Sequence, residues 1–216
     1  MSTSTNEGRS RAEQREATRA ALLAAGTTAF AAKGHDGVNL AKDILDPVGI
    51  SVGSFYHQFD NKTELLLAII DHATTRAESR FFDSLPEDQA GIGPKFVKAS
   101  WDAFLSLVDE HEDEVTIQLR ETHSPHPEVV AAIRKLTDAR LEFLVRRYRD
   151  IAPPGTTVDA DAMVEMSAAL SLAALTAYLH TAPADRPRRK PELVGRLTTM
   201  VFAGIPGFIR PADPDS

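Results

Sequence analysis

The chain of 216 residues contains no cysteine, and this absence excludes several kinds of chemistry. Disulfide bridges, thiolate metal sites and cysteine nucleophiles all require the missing side chain. Apolar runs are short as well, and none approaches the roughly 20 residues that span a bilayer. The first residues also lack the apolar stretch of a secretory signal. These absences predict a cytoplasmic protein that does not associate with membranes.

An excess of basic residues, the usual mark of a non-specific nucleic-acid binder, is also missing. The formal net charge is −7. Residues 1–62 hold seven basic and seven acidic side chains, whereas the rest of the chain holds 17 basic and 24 acidic ones. A local basic patch can still act, because salt screens charges beyond about 8–10 Å. Selective binding to particular sites therefore fits the charge better than non-specific binding.

Motifs of catalysis are missing too. The sequence has no glycine-rich phosphate loop, no Gly-x-Ser-x-Gly elbow and no His-Glu-x-x-His pattern. We therefore predict a protein that is not an enzyme and needs no cofactor, with an all-α enzyme as a rival. His123 and His126 flank a Ser-Pro turn, with His111, Glu121 and Glu128 near in sequence. This pattern could indicate a metal site, but an exposed loop is the commoner reading, and no metal is predicted.

Apolar residues recur at intervals of three and four along most of the chain, which predicts an all-α fold of about nine helices. Residues 1–10 have no apolar anchor and are predicted to form a disordered tail. The expected helices begin near residue 12 and end near residue 208. Pro127 and Pro191 are placed as first residues of two of them.

The segment 39–59 predicts a helix-turn-helix. Asn39 can cap a first short helix, and Ser51 can cap a second, through side-chain oxygens that accept backbone N–H groups. Gly49 occupies the position where a left-handed residue ends one helix before the next begins. Pro47 is expected to shorten the first helix. In such motifs the second helix enters the major groove of DNA, although two short helices can also merely pack together.

The same segment closely resembles the DNA-binding motif of the TetR/AcrR family of transcriptional regulators, and the similarity runs from Ala17 to Thr75. The matching residues are Ala24, Ala25, Phe30, Gly34, Ile44, Gly49, Ile50, Ser51, Gly53, Phe55, Tyr56, His57, Phe59, Asn61, Lys62, Glu64, Leu65 and Leu66. The resemblance implies a three-helix DNA-binding domain at residues 11–60. It also implies a helical domain at 61–216 for effector binding and dimerisation.

The resemblance further implies which residues approach DNA. They are Asn39, Lys42, Ser51, Val52, Ser54, Tyr56, His57 and Lys62. Lys42 can donate to guanine, and Val52 can meet a thymine methyl group, although relatives often carry a polar residue at that position. Ile44, Ile50, Phe55 and Phe59 are expected in the core. Arg9, Arg11, Arg15 and Arg19 belong either to a solvated tail and helix face or to an arm that reaches DNA.

In the second domain, the resemblance implies a small-molecule pocket and a four-helix dimer interface. The pocket residues are Trp101, Phe104, Leu105, Val108, Gln118, Leu119, Thr122, Leu136, Phe143 and Thr176, with Arg120 and Glu121 as further polar groups. The interface residues are Met166, Leu170, Ala173, Ala177, Leu197 and Val201. Residues with this spacing can also be ordinary core. The predominance of apolar side chains predicts a hydrophobic effector.

Together these observations predict a DNA-binding transcriptional regulator. The expected form is a repressor that binds a palindromic operator in double-stranded DNA as a homodimer and is released by a small hydrophobic effector. The alternative is a helical small-molecule-binding protein whose DNA recognition is lost or altered, which Pro47 and Val52 make conceivable.

Overall fold

The computed structural model describes residues 4–83, 93–151 and 159–203, and the regular structure within these ranges is helical throughout. The prediction of an all-α chain is confirmed. None of the described helices is long and apolar enough to cross a membrane. The elements are α1 Ser4–Gly37, a π-helical turn Ala41–Leu45, α2 Asp46–Val48, α3 Val52–Tyr56, α4 Lys62–Asp83, α5 Pro94–Glu110, α6 Glu112–Glu121, α7 Pro127–Ile151, α8 Ala160–Leu179, a 3₁₀ turn Pro183–Asp185 and α9 Arg186–Ala203.

The chain divides into two compact units, and both draw on separate stretches of sequence. The head unit comprises the chain up to Arg76 together with His111–Leu136, and the body unit comprises Ala77–Glu110 together with the chain from Thr137 onward. The boundary therefore falls inside α4 and α7. The sequence analysis predicts a single domain boundary at residue 60. It misses the contribution of α6 and the start of α7 to the head unit, because these segments are far from α1 in sequence and pack against it only in the folded chain.

The head unit has one apolar core, to which five helices and the π-helical turn contribute. Its fully buried side chains include Leu22, Phe30, Ile44, Phe55 and Leu65. Phe59 is also buried and Ile50 partly buried, so the four residues expected in the core all face it. Ile117, Val129 and Ile133 reach the same core from α6 and α7.

Gly26 and Gly34 allow α1 to approach its neighbours closely. A Cβ atom on Gly26 would lie 2.9 Å from Cδ1 of Ile69, so this glycine lets α1 pack directly on α4. Gly34 has φ 70° and ψ 170°, which ends regular helical geometry where the sequence predicted. A Cβ there would meet the side chains of Arg120 and Glu121.

Three helix boundaries differ from the sequence predictions. α1 begins at Ser4, so the segment expected as a disordered tail is helical from that residue, since extending a formed helix costs less than starting one. Pro47 does not shorten its helix, which continues to Val48. The preceding π turn, in which the N–H of Asp46 donates to the carbonyl of Ala41, accommodates the proline ring. α9 begins at Arg186 and contains Pro191 in its interior.

In the body unit, α5, α8 and α9 pack against one another. Phe96, Leu105 and Val194 are among their buried residues. Tyr178 is fully buried and donates its hydroxyl to Oδ2 of Asp109 at 2.8 Å. Burial raises the pKa of Tyr178 far above its usual range, and the acceptor Asp109 adds to the effect. The tyrosine therefore stays protonated and links α8 to α5.

Candidate nucleic-acid interface

The turn of the helix-turn-helix closes through backbone hydrogen bonds around Gly49. Gly49 has φ 73° and ψ 33°, the left-handed conformation expected from the sequence. The N–H of Ile50 donates to the carbonyl of Leu45 at 3.2 Å, and the N–H of Gly49 to that of Asp46 at 3.2 Å. This pair of bonds is the Schellman arrangement that ends a helix. The turn therefore fixes the direction in which α3 leaves.

Both short helices are capped at the predicted residues. Oδ1 of Asn39 accepts the N–H of Lys42 at 3.0 Å, while Oδ2 of Asp43 accepts the N–H of Asn39 at 2.9 Å. Oγ of Ser51 accepts the N–H of Ser54 at 3.2 Å. Each cap satisfies a backbone donor that the helix itself leaves free. Asn39 and Ser51 thus hold the motif in shape, whatever they contact outside it.

α3 has one buried and one exposed face. Phe55 is fully buried and meets Phe59 at a ring distance of 5.9 Å. On the opposite face, Val52 is 51% and Tyr56 56% exposed, although large apolar and aromatic side chains are more often buried. His57 is exposed beside them. We name Val52, Tyr56 and His57, together with the exposed Lys42, the reading face.

Lys62 lies differently from the other residues expected at DNA. Its ammonium group donates to the carbonyl of His35 at 2.8 Å and to that of Val38 at 3.3 Å. These carbonyls belong to the end of α1 and to the segment that follows it. Lys62 therefore ties α4 to α1 inside the head unit. Sequence reasoning missed this role because 27 and 24 residues separate the partners.

The arginines of α1 divide into two groups. The guanidinium of Arg19 lies 4.5 Å from the ring centroid of Phe59 and donates to the carbonyl of Gln58 at 3.5 Å. Arg19 thus packs against the end of the helix-turn-helix. Arg11 and Arg15 are exposed, and the side chain of Arg9 lies outside the described residues.

α6 holds the end of α1 through two polar side chains that the sequence had assigned to a pocket. Oε1 of Glu121, which is buried, accepts the backbone N–H of His35 at 2.7 Å. The guanidinium of Arg120 donates to the carbonyl of Ala32 at 2.9 Å. Both side chains thus form hydrogen bonds with α1. The break in the helix at Gly34 leaves backbone N–H and C=O groups without partners inside the helix, and these two side chains bind them.

The residues predicted for the effector pocket fall in both units. Phe104, Leu105 and Val108 are buried in the body unit, with Trp101 half-buried against Phe104 at a ring distance of 5.8 Å. Leu136 is buried in the head unit, where Gln118 and Leu119 are half-buried. The exposed Thr122 and Thr176 donate their hydroxyls to carbonyls of their own helices. The side chain of Phe143 lies outside the described residues.

The residues predicted for the dimer interface are mostly exposed within the single chain. Met166, Ala173, Ala177 and Val201 are exposed, and Leu170 is half-buried. Leu197 is the exception, because it is buried within the body unit and packs in its own chain.

Comparison with known proteins agrees with this geometry. The family model described as "Bacterial regulatory proteins, tetR family" matches residues 22–69, which contain the whole helix-turn-helix. The HTH-type transcriptional regulator UidR of Escherichia coli is 25% identical over 186 residues, which is 85% of this chain and 91% of UidR.

Solved structures show the same fold along most of the chain. GusR of Salmonella enterica is 22% identical with a TM-score of 0.68, covering 88% of this chain and 95% of GusR. FadR of Bacillus subtilis, solved in complex with stearoyl-CoA, is 15% identical with a TM-score of 0.69, covering 86% of this chain and 98% of FadR. Residues 22–69 therefore form a DNA-binding domain of the tetR family of bacterial regulatory proteins, and the chain is a DNA-binding transcriptional regulator.

Proposed function

We propose that this regulator is a cytoplasmic repressor that binds a palindromic operator as a homodimer and leaves it when a small hydrophobic effector binds. The observation that carries the DNA part is the exposed reading face on a helix whose other face is buried. A rigid core behind α3 holds these side chains in fixed positions, as base readout requires.

The reading face combines two kinds of contact. Lys42 can donate to guanine O6 and N7, and Val52 can pack against a thymine methyl group. Tyr56 and His57 can donate to phosphate oxygens, which position the protein without reading sequence. The other residues expected at DNA support this face, because their side chains already form hydrogen bonds inside the head unit. They are Asn39, Ser51, Ser54 and Lys62.

The test is binding of labelled DNA from the flanks of the protein's own gene, followed by fluorescence anisotropy at fixed salt. Lys42→Ala should weaken binding to the best site by roughly tenfold, within the range of about 1–3 kcal/mol for a base contact. Lys135→Ala removes a second exposed lysine of the head unit that lies on α7, and should leave affinity within about twofold.

Val52→Ala and Tyr56→Ala extend this test. Val52→Ala should change the preferred sequence, whereas Tyr56→Ala should weaken all sequences alike. If substitutions at Lys42, Val52 and Tyr56 all left binding intact, the reading face would be wrongly assigned. If the unaltered protein bound no flanking DNA yet was stabilised by metabolites, the alternative would hold, namely a small-molecule-binding protein that has lost DNA recognition.

The dimer part rests on α8, which is apolar on two faces. Ala174, Leu175 and Tyr178 are buried against the body unit, while Met166 is 60% and Leu172 55% exposed on other sides. A helix that is apolar all round is normally covered all round. Val201 and Phe202 on α9 add exposed apolar area. A second copy of the chain covers these faces through a two-fold, self-complementary contact.

Sedimentation at micromolar concentration tests the dimer. The chain of 23.5 kDa should sediment at twice that mass. Leu172→Glu should shift it towards the monomer, because a charge in an apolar interface loses its hydration. Lys98→Glu places the same carboxylate at an exposed position of α5 and should leave the dimer intact. A monomeric unaltered protein would refute the proposal.

For the effector, we rely on the apolar character of α5. Phe104, Leu105 and Val108 leave few polar groups to bind a small charged molecule, so a hydrophobic ligand fits better. The complex of FadR with stearoyl-CoA supports the choice of long-chain acyl thioesters as first probes. Release from DNA requires that the effector bind the DNA-free conformation more tightly than the DNA-bound one.

Trp101, the single tryptophan of the chain, provides the signal for this test. Stearoyl-CoA should change its fluorescence and lower DNA affinity, and DNA should weaken stearoyl-CoA binding by the same factor. Free coenzyme A is the matched control and should do neither. If only small, highly charged metabolites stabilise the protein in a thermal-shift screen, or if the stabilising ligands leave DNA affinity unchanged, the hydrophobic effector is refuted.

A further inference from the structure

Two histidines and an aspartate from distant parts of the sequence meet at the end of α1. Nδ1 of His35 lies 2.9 Å from Oδ1 of Asp36, and Nε2 of His126 lies 2.8 Å from the same oxygen. The rings of the two histidines are 3.9 Å apart. One ligand atom from each residue lies within 4.8 Å of the other two. All three residues belong to the head unit.

These three donors form a set that suits a particular class of metal ion. Two imidazole nitrogens and one carboxylate oxygen are typical ligands of Zn²⁺ and of related first-row divalent ions. Metal–ligand bonds of about 2.0–2.1 Å in tetrahedral geometry place neighbouring donors roughly 3.3–3.5 Å apart. The nitrogen–oxygen distances here are shorter by about half an ångström, a gap that small side-chain rotations can open. Asp36 is exposed and can make this adjustment.

The surroundings hold His35 in one orientation before any ion arrives. Its Nε2 lies 2.9 Å from Oγ1 of Thr63, its ring stacks parallel to Phe30 at 6.3 Å, and it is only 4% exposed. With Nδ1 on the metal, Nε2–H would donate to Thr63. This is the outer hydrogen bond that metal-bound histidines usually make.

The cluster is open to solvent on the side of Asp36, which is exposed. His126 lies in the turn before α7 and is half-buried, which leaves the open side of the cluster accessible to an ion from solvent.

We propose that His35, Asp36 and His126 form a binding site for Zn²⁺ or a related divalent ion, with a fourth position open to water. The ion replaces the two hydrogen bonds of Asp36 by three metal–ligand bonds. It thereby joins the end of α1, which leads into the helix-turn-helix, to the turn between α6 and α7. This proposal does not depend on the identity of the operator or of the effector.

His123 provides a matched control from the same turn. It is exposed, whereas His126 belongs to the cluster. Since the chain has seven histidines, weak binding elsewhere must be separated from binding at this site. His126→Gln and Asp36→Asn remove one ligand each and affect side chains that are not in the core. His123→Gln removes a neighbouring imidazole and no ligand.

The experiment uses the untagged full-length protein after treatment with a chelator. Equilibrium dialysis with Zn²⁺ at neutral pH should give one ion per chain. Co²⁺ should give visible d–d absorption of a low-symmetry nitrogen- and oxygen-bound ion. His126→Gln and Asp36→Asn should each weaken Zn²⁺ binding at least roughly tenfold and remove the Co²⁺ bands. His123→Gln should change neither, and circular dichroism should show that all variants are folded.

Several results would overturn the site. One is the absence of stoichiometric Zn²⁺ binding by the folded unaltered protein. Another is an equal loss in the His123→Gln and His126→Gln variants, which would mean that surface imidazoles bind the ion without a site. A third is unchanged binding in His126→Gln and Asp36→Asn. In each case the three residues would be only a hydrogen-bonded link between α1 and the turn before α7.

Discussion

The head and body units use apolar residues in different ways. Among the described residues of the head unit, the large apolar side chains converge on one core, and the two exposed exceptions, Val52 and Tyr56, lie on the reading face. Among the described residues of the body unit, exposed large apolar side chains are more numerous and lie on α8 and α9, as at Met166 and Val201. In the head, an exposed apolar residue is therefore a single side chain that can touch DNA. In the body it marks the surface that we propose a second copy of the chain covers.

Both units also use polar side chains to join elements that are far apart in sequence. In the head, side chains bind backbone groups far away in sequence, as Lys62 binds His35 and Glu121 binds the same residue. In the body, Tyr178 donates to Asp109 and Lys190 donates to Ser106, so that α8 and α9 are both joined to α5. The described contacts of α9 also include ion pairs within one helical turn, such as Arg189 with Glu192. Long-range bonds hold helices in a fixed arrangement, whereas local pairs add only to the stability of one helix. The long-range bonds of the head suit a unit that must present side chains precisely.

The largest expected effect comes from the same substitution placed in each unit. Leu66 is fully buried in the head, so Leu66→Ala should lower the free energy of unfolding by about 2–5 kcal/mol. Leu172→Ala in the body removes an exposed side chain and should change monomer stability by less than about 0.5 kcal/mol.

Denaturant unfolding at several protein concentrations tests this pair. The loss in Leu66→Ala should be the same at every concentration, whereas any loss in Leu172→Ala should appear only where the protein is dimeric. A large, concentration-independent loss in Leu172→Ala would show that Leu172 belongs to the core of its own chain.

Glycines give the next contrast. Gly26→Ala in the head should cost about 1–3 kcal/mol, because the new Cβ would lie 2.9 Å from Ile69 and 3.1 Å from Leu65. Gly195→Ala in α9 meets no atom within 4 Å and should stabilise the chain by about 0.4–1 kcal/mol, since alanine restricts the unfolded chain. Thermal unfolding of both variants measures these two changes in stability. Equal effects of one sign would contradict the close approach of α1 and α4.

Lys62 and Tyr56 separate support from contact within the head. Lys62→Met keeps most of the side-chain volume but removes two hydrogen bonds to backbone carbonyls, so it should cost about 1–3 kcal/mol of stability. Tyr56→Ala removes an exposed side chain and should leave stability within about 0.5 kcal/mol while weakening DNA binding. Unfolding and DNA titrations of the same samples distinguish the two. A stable Lys62→Met protein that has lost DNA binding would place Lys62 at DNA instead.

How far the sequence predicted the structure depended on the distance between partners. Features that depend on neighbours within four residues were all predicted. They are the caps formed by Asn39 and Ser51, the left-handed conformation of Gly49 and the start of α7 at Pro127. The partner of Lys62 is 27 residues away, and those of His35 and Asp36 lie 86 and 90 residues away. No local pattern encodes such pairs, because only the packing of α4, of α6 and of the turn before α7 against α1 creates them.

The smallest expected effect concerns pH and again compares the two units. Hydrogen bonds from Lys33, at 2.6 Å, and from the backbone N–H of Asn39 lower the pKa of Asp43 below its ordinary 3.8. A carboxyl whose pKa is lowered by folding stabilises the protein above its unfolded-state pKa, and this contribution is lost as the pH falls through the folded value. Arg189 lowers the pKa of Glu192 in the body below its ordinary 4.5 in the same direction.

The two carboxylates nevertheless differ in what they join. Asp43 links the helix-turn-helix to α1 and to its own cap. Among the described residues, the ion-pair partners of Glu192 are Arg189 and Arg196 of its own helix. Asp43→Asn should therefore lower the melting temperature at pH 7 more than Glu192→Gln does. The difference in melting temperature between each variant and the unaltered protein should shrink as the pH falls below 4, because the ionised forms of the two carboxyl groups begin to be lost there. Thermal melts at pH 7 and near pH 3 measure this. A deficit in Asp43→Asn that stayed constant across that range would mean that Asp43 acts through its shape and not through its charge.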